Sequence, residues 1–209
     1  LDKDCFLEPG DYSLEEAEEI CDIIFTLRAH MVHKHNYGPV IDWSTILMND
    51  KESNVSLNWH PHLRILAKAY SETKKEKYLK KLIELWNSWF YQNPVPNIRR
   101  KVGPWRTLEV GSRSWRTWPV LLNTFLEANV EPEVIFSFCK CYIEQAHYLL
   151  THKASGLNNW YQVESCGLAT ISALFPEYKF SDYVYQIAIE RIKRINEICF
   201  LEDGFQYEG

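Results

Sequence analysis

The segment SGLNNWYQVESCGLATISALFP, from Ser155 to Pro176, combines residue types that could bind a charged ligand. Asn158 and Asn159 are adjacent amides, Trp160 follows at once, and a helix is predicted to begin at this point. Asparagine is a favoured helix N-cap, which accounts for one of the two amides. The other amide would lie at the positive end of the helix dipole, where a carboxylate is stabilised. The pattern therefore indicates a candidate anion site at Asn158-Asn159-Trp160.

A basic segment forms the second candidate, in a chain whose formal net charge is −5. Its six basic residues, with Glu109 as the single acid and Trp105 and Trp115 interleaved, are Arg99, Arg100, Lys101, Arg106, Arg113 and Arg116. Guanidinium groups match carboxylate and sulfate in a bidentate way, so the segment could bind an anionic polymer. A solvated surface run paired with acids elsewhere explains it equally well. The negative net charge and the missing nucleic-acid motifs disfavour a nucleic-acid partner.

The histidines and cysteines give little support for a metal site. His33 and His35, like His60 and His62, stand two positions apart, whereas two ligands on one helical face need a spacing of three or four. No phosphate-binding glycine loop, nucleophile elbow or nucleotide fingerprint is present, so neither a metal nor a cofactor is expected. The six cysteines are expected to be free thiols, mostly buried, because a chain of this size has an adequate core without disulfides.

The composition is that of a globular protein, with 209 residues, 46% hydrophobic and 24% charged. Aromatic residues make up 14% of the chain, which core filling explains and a carbohydrate-binding surface would also use. No segment reaches the roughly 18 to 20 apolar residues of a membrane helix, so no membrane partner is expected. The chain begins at Leu1 without an apolar leader, which suggests a processed or recombinant start.

Apolar residues repeat at helical spacing along most of the chain, and no run alternates as a half-buried strand would. A capping box at Ser13 and Glu16 begins the first predicted helix, over residues 13–31. Further helices are predicted over 62–70, after Thr73, over 112–126, from Pro132, over 160–174, and through Val184 to Cys199. Pro119 would lie near the start of the 112–126 helix or kink it. Short connections between them favour antiparallel helical hairpins. The predicted fold class is all-α.

Short motifs in order along the chain resemble the heparinase II/III family of polysaccharide lyases. They are Leu57-Asn58-Trp59-His60, the stretches 67–70 and 73–78, Trp86-Asn87-Ser88-Trp89 before Asn93-Pro94, PWRTLEVGSR from Pro104 to Arg113, Trp118, Asn159-Trp160, Glu164, Gly167-Leu168, Phe175-Pro176-Glu177, and DGFQYE from Asp203 to Glu208. Each motif is weak alone, but their order and spacing together are fairly specific.

The resemblance implies that residues 1–209 are part of an N-terminal (α/α) toroid, an incomplete one, without the remaining helices and the C-terminal β-sandwich of the family. It implies β-elimination on uronic-acid polysaccharides of the heparan sulfate or alginate type. By resemblance, Asn159 is the amide that neutralises the substrate carboxylate. Trp160 stands where some relatives have histidine, and it would offer a ring for sugar packing. The family's catalytic tyrosine and histidine would lie beyond Gly209, so this chain alone is predicted to be inactive.

The expected substrate-binding residues are Asn158, Trp160, Arg106, Arg113, Trp105 and Glu164. The expected partner is an acidic polysaccharide, with self-association through an exposed apolar seam, and the expected location is periplasmic or extracellular, where such polymers occur. Two other functions stay open. A non-catalytic helical module would only bind acidic polysaccharide through its basic segment, and a toroid glycoside hydrolase would need two paired carboxylates. Glu109, Glu164 and Asp203 are available, but the sequence pairs no two of them.

Overall fold

In a computed structural model the described residues are 13–28, 32–153 and 156–199. They form helices α1 (Leu14–Cys21), α2 (Lys51–Asn58), α3 (Pro61–Thr73), α4 (Glu76–Gln92), α5 (Thr107–Arg116), α6 (Trp118–Glu127), α7 (Pro132–Thr151), α8 (Asn159–Leu174) and α9 (Ser181–Cys199), and the antiparallel strands β1 (Ile24–Arg28) and β2 (Val32–Asn36). The prediction of a helical fold is confirmed. Within the described ranges, no helix is both long and apolar enough to cross a membrane.

The chain divides into two compact units. The first contains the described residues up to Pro94 with Val102–Pro104 and Arg116–Phe138, and the second contains Val95–Lys101, Trp105–Trp115 and the described residues from Cys139 onward. In the first unit α3 packs against α1, α4 and α6. In the second unit α8 and α9 pack against each other, as expected of consecutive helices in a hairpin.

The first predicted helix is wrong beyond Cys21. Ser13 caps α1 as expected, with its Oγ 3.1 Å from the backbone N of Glu16, but the chain then turns through Ile23, whose φ is +62°. The following IFTLR run is rich in β-branched and aromatic residues, and Phe25 and Leu27 alternate into the core. It pairs with β2 instead of continuing the helix. Met31, the last apolar residue of the predicted helix, lies outside the described residues.

Two other predicted boundaries are corrected. The single helix expected over 112–126 is two helices, α5 and α6, separated at Thr117. Pro119 is the second residue of α6, where its missing N–H has no intrahelical partner to lose. Apolar periodicity also missed α2, because polar Ser53, Asn54, Ser56 and Asn58 are buried there beside Val55 and Leu57.

A polar network explains why α2 buries those side chains. Asn54 and Asn58 both donate through Nδ2 to the carbonyl oxygen of Trp43, at 2.9 and 3.0 Å, and Trp89 donates through Nε1 to Asn58 Oδ1 at 3.3 Å. These bonds fasten the loop around Trp43 to α2 and α4. Buried amides satisfied in this way cost little, whereas an unpaired buried amide costs about 1–3 kcal/mol.

The paired histidines of the first unit belong to an aromatic core. His60, with φ +62°, accepts a hydrogen bond at Nδ1 from Trp118 Nε1 at 3.0 Å. His62 is buried and stacks on Phe25 and Trp43, with ring centroids 4.4 and 5.6 Å away. Burial lowers the pKa of His62 to about 3, so this imidazole is neutral at physiological pH. The described residues contain no group of three His, Cys, Asp or Glu side chains that could hold a metal ion.

In the second unit, α5 and α8 touch through their backbones. A Cβ atom on Gly111 would lie 2.8 Å from the carbonyl oxygen of Val163 and 2.9 Å from Cα of Glu164. A Cβ on Gly167 would lie 3.0 Å from Cα of Gly111. Only glycine at both positions permits this approach, so the two residues fix the distance between the helices.

The buried imidazole predicts a stability loss in mild acid. A folded pKa of about 3 against an ordinary 6.5 means that His62 stabilises the fold above pH 6.5, and that this contribution is lost as the pH falls toward 3. His62 should therefore contribute about 2 kcal/mol to the difference in unfolding free energy between pH 7 and pH 5. His62→Phe should flatten that dependence in urea unfolding, while His147→Phe, at an exposed position, should not. Equal slopes in the wild type and His62→Phe would contradict the assignment.

The glycine contact predicts that Gly111→Ala is destabilising. Alanine favours a helix over glycine by about 1 kcal/mol, but its methyl group would meet the α8 backbone, which cannot rotate away. We expect a net loss of about 1–3 kcal/mol in unfolding free energy, as for an overpacked core. Gly156→Ala is the matched control, because a Cβ there meets nothing within 4 Å. A Gly111→Ala protein as stable as the control would refute the close approach.

Candidate functional site

Asn158 and Asn159 have different roles at the start of α8. Asn158 is the N-cap, in an extended conformation, and its Oδ1 accepts from the backbone N of Tyr161 at 3.1 Å. Asn159 is the first residue of the helix, and its side chain is exposed with no hydrogen bond to any described residue. The capping role expected for one of the two amides is therefore filled by Asn158, which leaves the Asn159 amide available to a ligand.

The same helix end presents further donors. The backbone N of Tyr161 is capped, and that of Gln162 donates to the Asn158 carbonyl at 3.2 Å. The two preceding N–H groups, of Asn159 and Trp160, find no acceptor within the described part of the chain. The first turn of α8 thus combines a side-chain amide, two backbone N–H groups and the positive end of the helix dipole, all suited to an anion.

Arg106 joins this helix end to α5. Its guanidinium carbon lies 4.7 Å from the ring centroid of the half-buried Trp160, a cation–π contact, and its Nε lies 2.8 and 2.7 Å from the two carboxylate oxygens of Glu109. Glu109 is fully buried. Burial raises the pKa of Glu109, and the charge and hydrogen bond of Arg106 oppose that rise. Glu109 thereby orients Arg106, whose guanidinium lies over the ring of Trp160.

Arg113 is placed differently from the surface position that the basic segment suggested. It is fully buried, its Nε donates to Gln145 Oε1 at 3.0 Å, and its guanidinium carbon lies 5.4 Å from the ring centroid of Trp105. Burial lowers the pKa of Arg113 to about 10, which leaves it cationic at neutral pH, and the charge of Glu109 acts against the lowering. Arg113 supports the site from within and does not face solvent. The interpretation of the whole basic segment as a surface is therefore corrected.

Trp105 and Glu164 are also interior residues. Trp105 is 4% exposed and packs edge-on against Tyr148, with ring centroids 5.2 Å apart, and Glu164 is fully buried on α8 where that helix meets Gly111. Of the seven predicted site residues, the structure brings Asn158, Asn159, Trp160 and Arg106 together at one accessible place. It puts Arg113, Trp105 and Glu164 inside the unit, where they hold that place in position.

Two residues of the site were not predicted from sequence. Gln145 on α7 is buried and accepts from both Arg113 Nε and Ser114 Oγ, at 3.0 and 3.1 Å. Tyr148, one turn further along α7, is 2% exposed and accepts at its hydroxyl from the backbone N of Arg100 at 2.9 Å. Both lie more than 30 positions from their partners, and an apolar periodicity on α7 gives no sign of such a polar role.

An apolar cavity of about 180 Å³ lies elsewhere in the second unit, between α7 and α9. His147, Tyr178 and Phe180 contribute to its wall, and His147 Nε2 is 2.5 Å from the Tyr178 hydroxyl. None of the predicted site residues lines it. The described cysteines are all free thiols, and Cys141 and Cys199 are buried; Cys5 lies outside the described residues.

Comparison with known proteins identifies the family. Residues 13–209 match the family described as Heparinase II/III N-terminus. Two curated relatives are heparin-sulfate lyases: one from Bacteroides thetaiotaomicron, 30% identical over 68% of this chain and 20% of its own length, and one from Pedobacter heparinus, 27% identical over 83% of this chain and 26% of its own length. The chain therefore spans about a quarter or less of these relatives.

Solved structures agree on the fold. A heparan sulfate lyase from Pedobacter heparinus, 26% identical, superposes with a TM-score of 0.78 over 93% of this chain and 30% of its own. Heparinase III superposes with a TM-score of 0.83 at 21% identity, over 96% of this chain and 33% of its own, and shows the likeness of fold. The fold class expected from the sequence motifs is confirmed. The chain belongs to the heparinase II/III family and matches its N-terminal part.

Proposed function

We propose that the protein to which this chain belongs is a polysaccharide lyase that cleaves uronic-acid glycans of the heparin or heparan sulfate type by β-elimination. Family membership and the two relatives named heparin-sulfate lyase support the reaction class and this substrate. Alginate-like polymers, which carry the same uronate carboxylate, are the second candidate substrate. A periplasmic or extracellular location follows from where such polymers occur.

The exposed amide of Asn159 carries the proposal. In β-elimination a base removes the proton on the carbon next to a carboxylate, and negative charge builds on that carboxylate as the proton leaves. Hydrogen-bond donors aimed at the developing charge lower the barrier, each by about 3–4 kcal/mol in well-organised sites. Asn159 supplies a side-chain donor beside the backbone N–H groups of Asn159 and Trp160, which bond to no acceptor in the described part of the chain. We assign this helix end the role of neutralising the substrate carboxylate.

The surrounding residues suit the same substrate. Arg106 and Arg113 place two guanidinium groups near the helix end, and the first of them, which is paired with Glu109, lies over the Trp160 ring. The ring of Trp160 is half-buried and lies under Arg106, and its exposed part is an apolar aromatic surface of the kind that sugars contact. We propose that Arg106 and Trp160 orient the uronate while Asn159 stabilises its carboxylate.

Proton transfer requires residues besides these. Tyr161 is the nearest phenol in sequence to Asn159, but the guanidinium carbon of Arg191 lies 5.4 Å from its ring centroid, which is a structural contact. Tyr207 lies outside the described residues. We propose that the base and the acid belong to other parts of the whole protein, together with further toroid helices and a β-sandwich. The 209-residue chain by itself should then give no unsaturated product.

The hydrolase alternative fits the geometry less well. A glycoside hydrolase needs two carboxylates that reach the scissile bond. Glu109 and Glu164 are both fully buried, and Glu109 is held by Arg106; Asp203 lies outside the described residues.

A purely binding module remains the other alternative, and an assay for the unsaturated uronate distinguishes all three. A lyase yields a product that absorbs in the ultraviolet, a hydrolase yields only reducing ends, and a binding module yields neither.

Self-association is a further part of the proposal. On α9 and just before it, the large side chains of Tyr183, Ile198 and Phe180 are about half exposed or more. We propose that this apolar face is covered in the whole protein or by a second copy of the chain, because exposed patches of this kind mark contact surfaces.

Substitutions at Asn159 should separate catalysis from stability. In the full-length protein, Asn159→Ala should lower kcat by about 10²–10³ because one donor to the developing charge is lost. Asn159→Asp should lower kcat further, since its carboxylate repels that of the substrate. The same Asp should keep or raise stability by about 0.3–1 kcal/mol, because an acid at the first turn favours the helix dipole. Ultraviolet absorbance of the product and thermal unfolding measure the two quantities.

Asn158 provides the matched control for stability. Asn158→Ala should cost about 0.5–2 kcal/mol through loss of the cap to Tyr161, whereas Asn158→Ser should retain most of it. If a full-length protein that forms unsaturated product keeps its rate after Asn159→Ala, the role assigned to Asn159 is refuted. If that protein forms only reducing ends, the lyase assignment itself fails.

A further inference from the structure

Three consecutive cations in the second unit have no acidic partner among the described residues. Arg99, Arg100 and Lys101, here called the 99–101 segment, are exposed, and no described residue forms an ion pair with any of the three side chains. Other arginines in the chain are engaged: Arg106 binds Glu109, and Arg191 covers Tyr161. In a chain of net charge −5, three adjacent exposed cations without acids concentrate positive potential at one place.

The 99–101 segment is held in place by its backbone. The N–H of Arg100 donates to the hydroxyl of the buried Tyr148 at 2.9 Å, and Arg100 also pairs with Arg106 in an isolated parallel β-bridge. Tyr148 is in turn packed against Trp105 and stacked on His152, with ring centroids 5.2 and 4.5 Å away. The cations therefore project from an anchored backbone, which reduces the ordering cost of binding a ligand.

The anchoring also gives the segment its position relative to the candidate site. The bridge joins Arg100 to Arg106, the guanidinium of Arg106 lies over Trp160, and Asn159 precedes that ring in the chain. All of these residues belong to the same compact unit. The nearest acid in sequence, Glu109, is buried beneath Arg106 and does not offset the exposed charge.

We propose that the 99–101 segment is an anion subsite that binds sulfate or carboxylate groups on sugars next to the one held at Asn159. This inference rests on the proposed function and extends it, because it makes the charges of neighbouring sugars part of substrate selection. Arg99 and Arg100 provide planar forks that match either anion, and Lys101 adds a point charge. The sugar at Asn159 is the one that reacts, and the 99–101 segment binds the anionic groups of a neighbouring sugar.

Binding at a distance from the reacting atoms has a kinetic signature. An interaction made equally in the ground state and the transition state affects KM and leaves kcat nearly constant. It should also weaken with salt, because exposed charges are screened. Substitution of Asn159 should instead lower kcat and leave KM nearly constant. The two sites can therefore be distinguished in one set of measurements.

The test uses the full-length protein carrying Arg99→Glu and Arg100→Glu together. The matched control is Lys75→Glu with Lys80→Glu, two exposed residues of the first unit, since both pairs lower the formal net charge by four, from −5 to −9 in this chain. With a heparin oligosaccharide as substrate, the Arg pair should raise KM at least tenfold, change kcat less than about twofold and reduce the dependence of kcat/KM on salt. The control should leave KM within about twofold. Circular dichroism melting should show that both variants fold.

A second substrate identifies the anion. The same measurements with an unsulfated oligosaccharide of the same backbone distinguish the two sources: an increase in KM limited to the sulfated substrate assigns the segment to sulfate, and an equal increase assigns it to carboxylate. A KM that is unchanged, or raised as much by the control, would overturn the subsite.

If the full-length protein proves to have no lyase activity, the proposed function fails. Calorimetric binding of the heparin oligosaccharide then tests the subsite, which is refuted if the Arg pair binds as well as the control.

Discussion

The close approach of α5 and α8 is the constraint on which the candidate site depends. Because Gly111 and Gly167 lack side chains, the backbone of one helix lies directly against the other. Gly111 is five residues after Arg106, and Val163 is three residues after Trp160. The contact between Gly111 and Val163 therefore also fixes the distance between the N-terminal ends of α5 and α8. The stacking of Arg106 on Trp160 at 4.7 Å is a consequence of this packing. A side chain at either glycine would separate the helices and with them the arginine from the exposed amide.

The charges beneath the site depend on one another in a similar way. Burial disfavours the ionised form of each group: it raises the pKa of Glu109 and lowers that of Arg113 to about 10. In both cases an opposite charge acts against the effect of burial: Arg106 and Arg113 lower the pKa of Glu109, and Glu109 raises that of Arg113. Such a buried set adds little net stability compared with apolar residues of the same size, whereas removal of one member leaves an uncompensated charge. The buried charges therefore form a set in which each member depends on the others.

How far the sequence predicted this structure depended on the kind of signal each element carries. Helices with a continuous apolar stripe, such as α4, α7 and α9, were placed correctly because the stripe records their burial. The helix α2 was missed because many of its buried residues are polar. The strand β1 was mistaken for helix because Ile24 and Leu27 stand at helical spacing, whereas the pair that alternates into the core is Phe25 and Leu27. At the site, motif resemblance named Asn159, Trp160 and Arg106, and the structure places Arg106 over the Trp160 ring next to Asn159. Charge alone could not reveal that Arg113 is interior, since its partner Gln145 lies 32 positions away on another helix.

The two adjacent asparagines have the same side chain but different positions, and their backbone conformations determine which of them caps the helix. At φ −145° and ψ −179°, Asn158 is extended, so its side chain turns back and caps the N–H of Tyr161. Asn159 already belongs to the helix, and from there its amide cannot cap the same turn and is left exposed. The cap fixes the first turn that presents Asn159 and its neighbouring N–H groups. One amide thus stabilises the helix end, and the fixed helix end holds the second amide in an exposed position, as the role proposed for Asn159 requires.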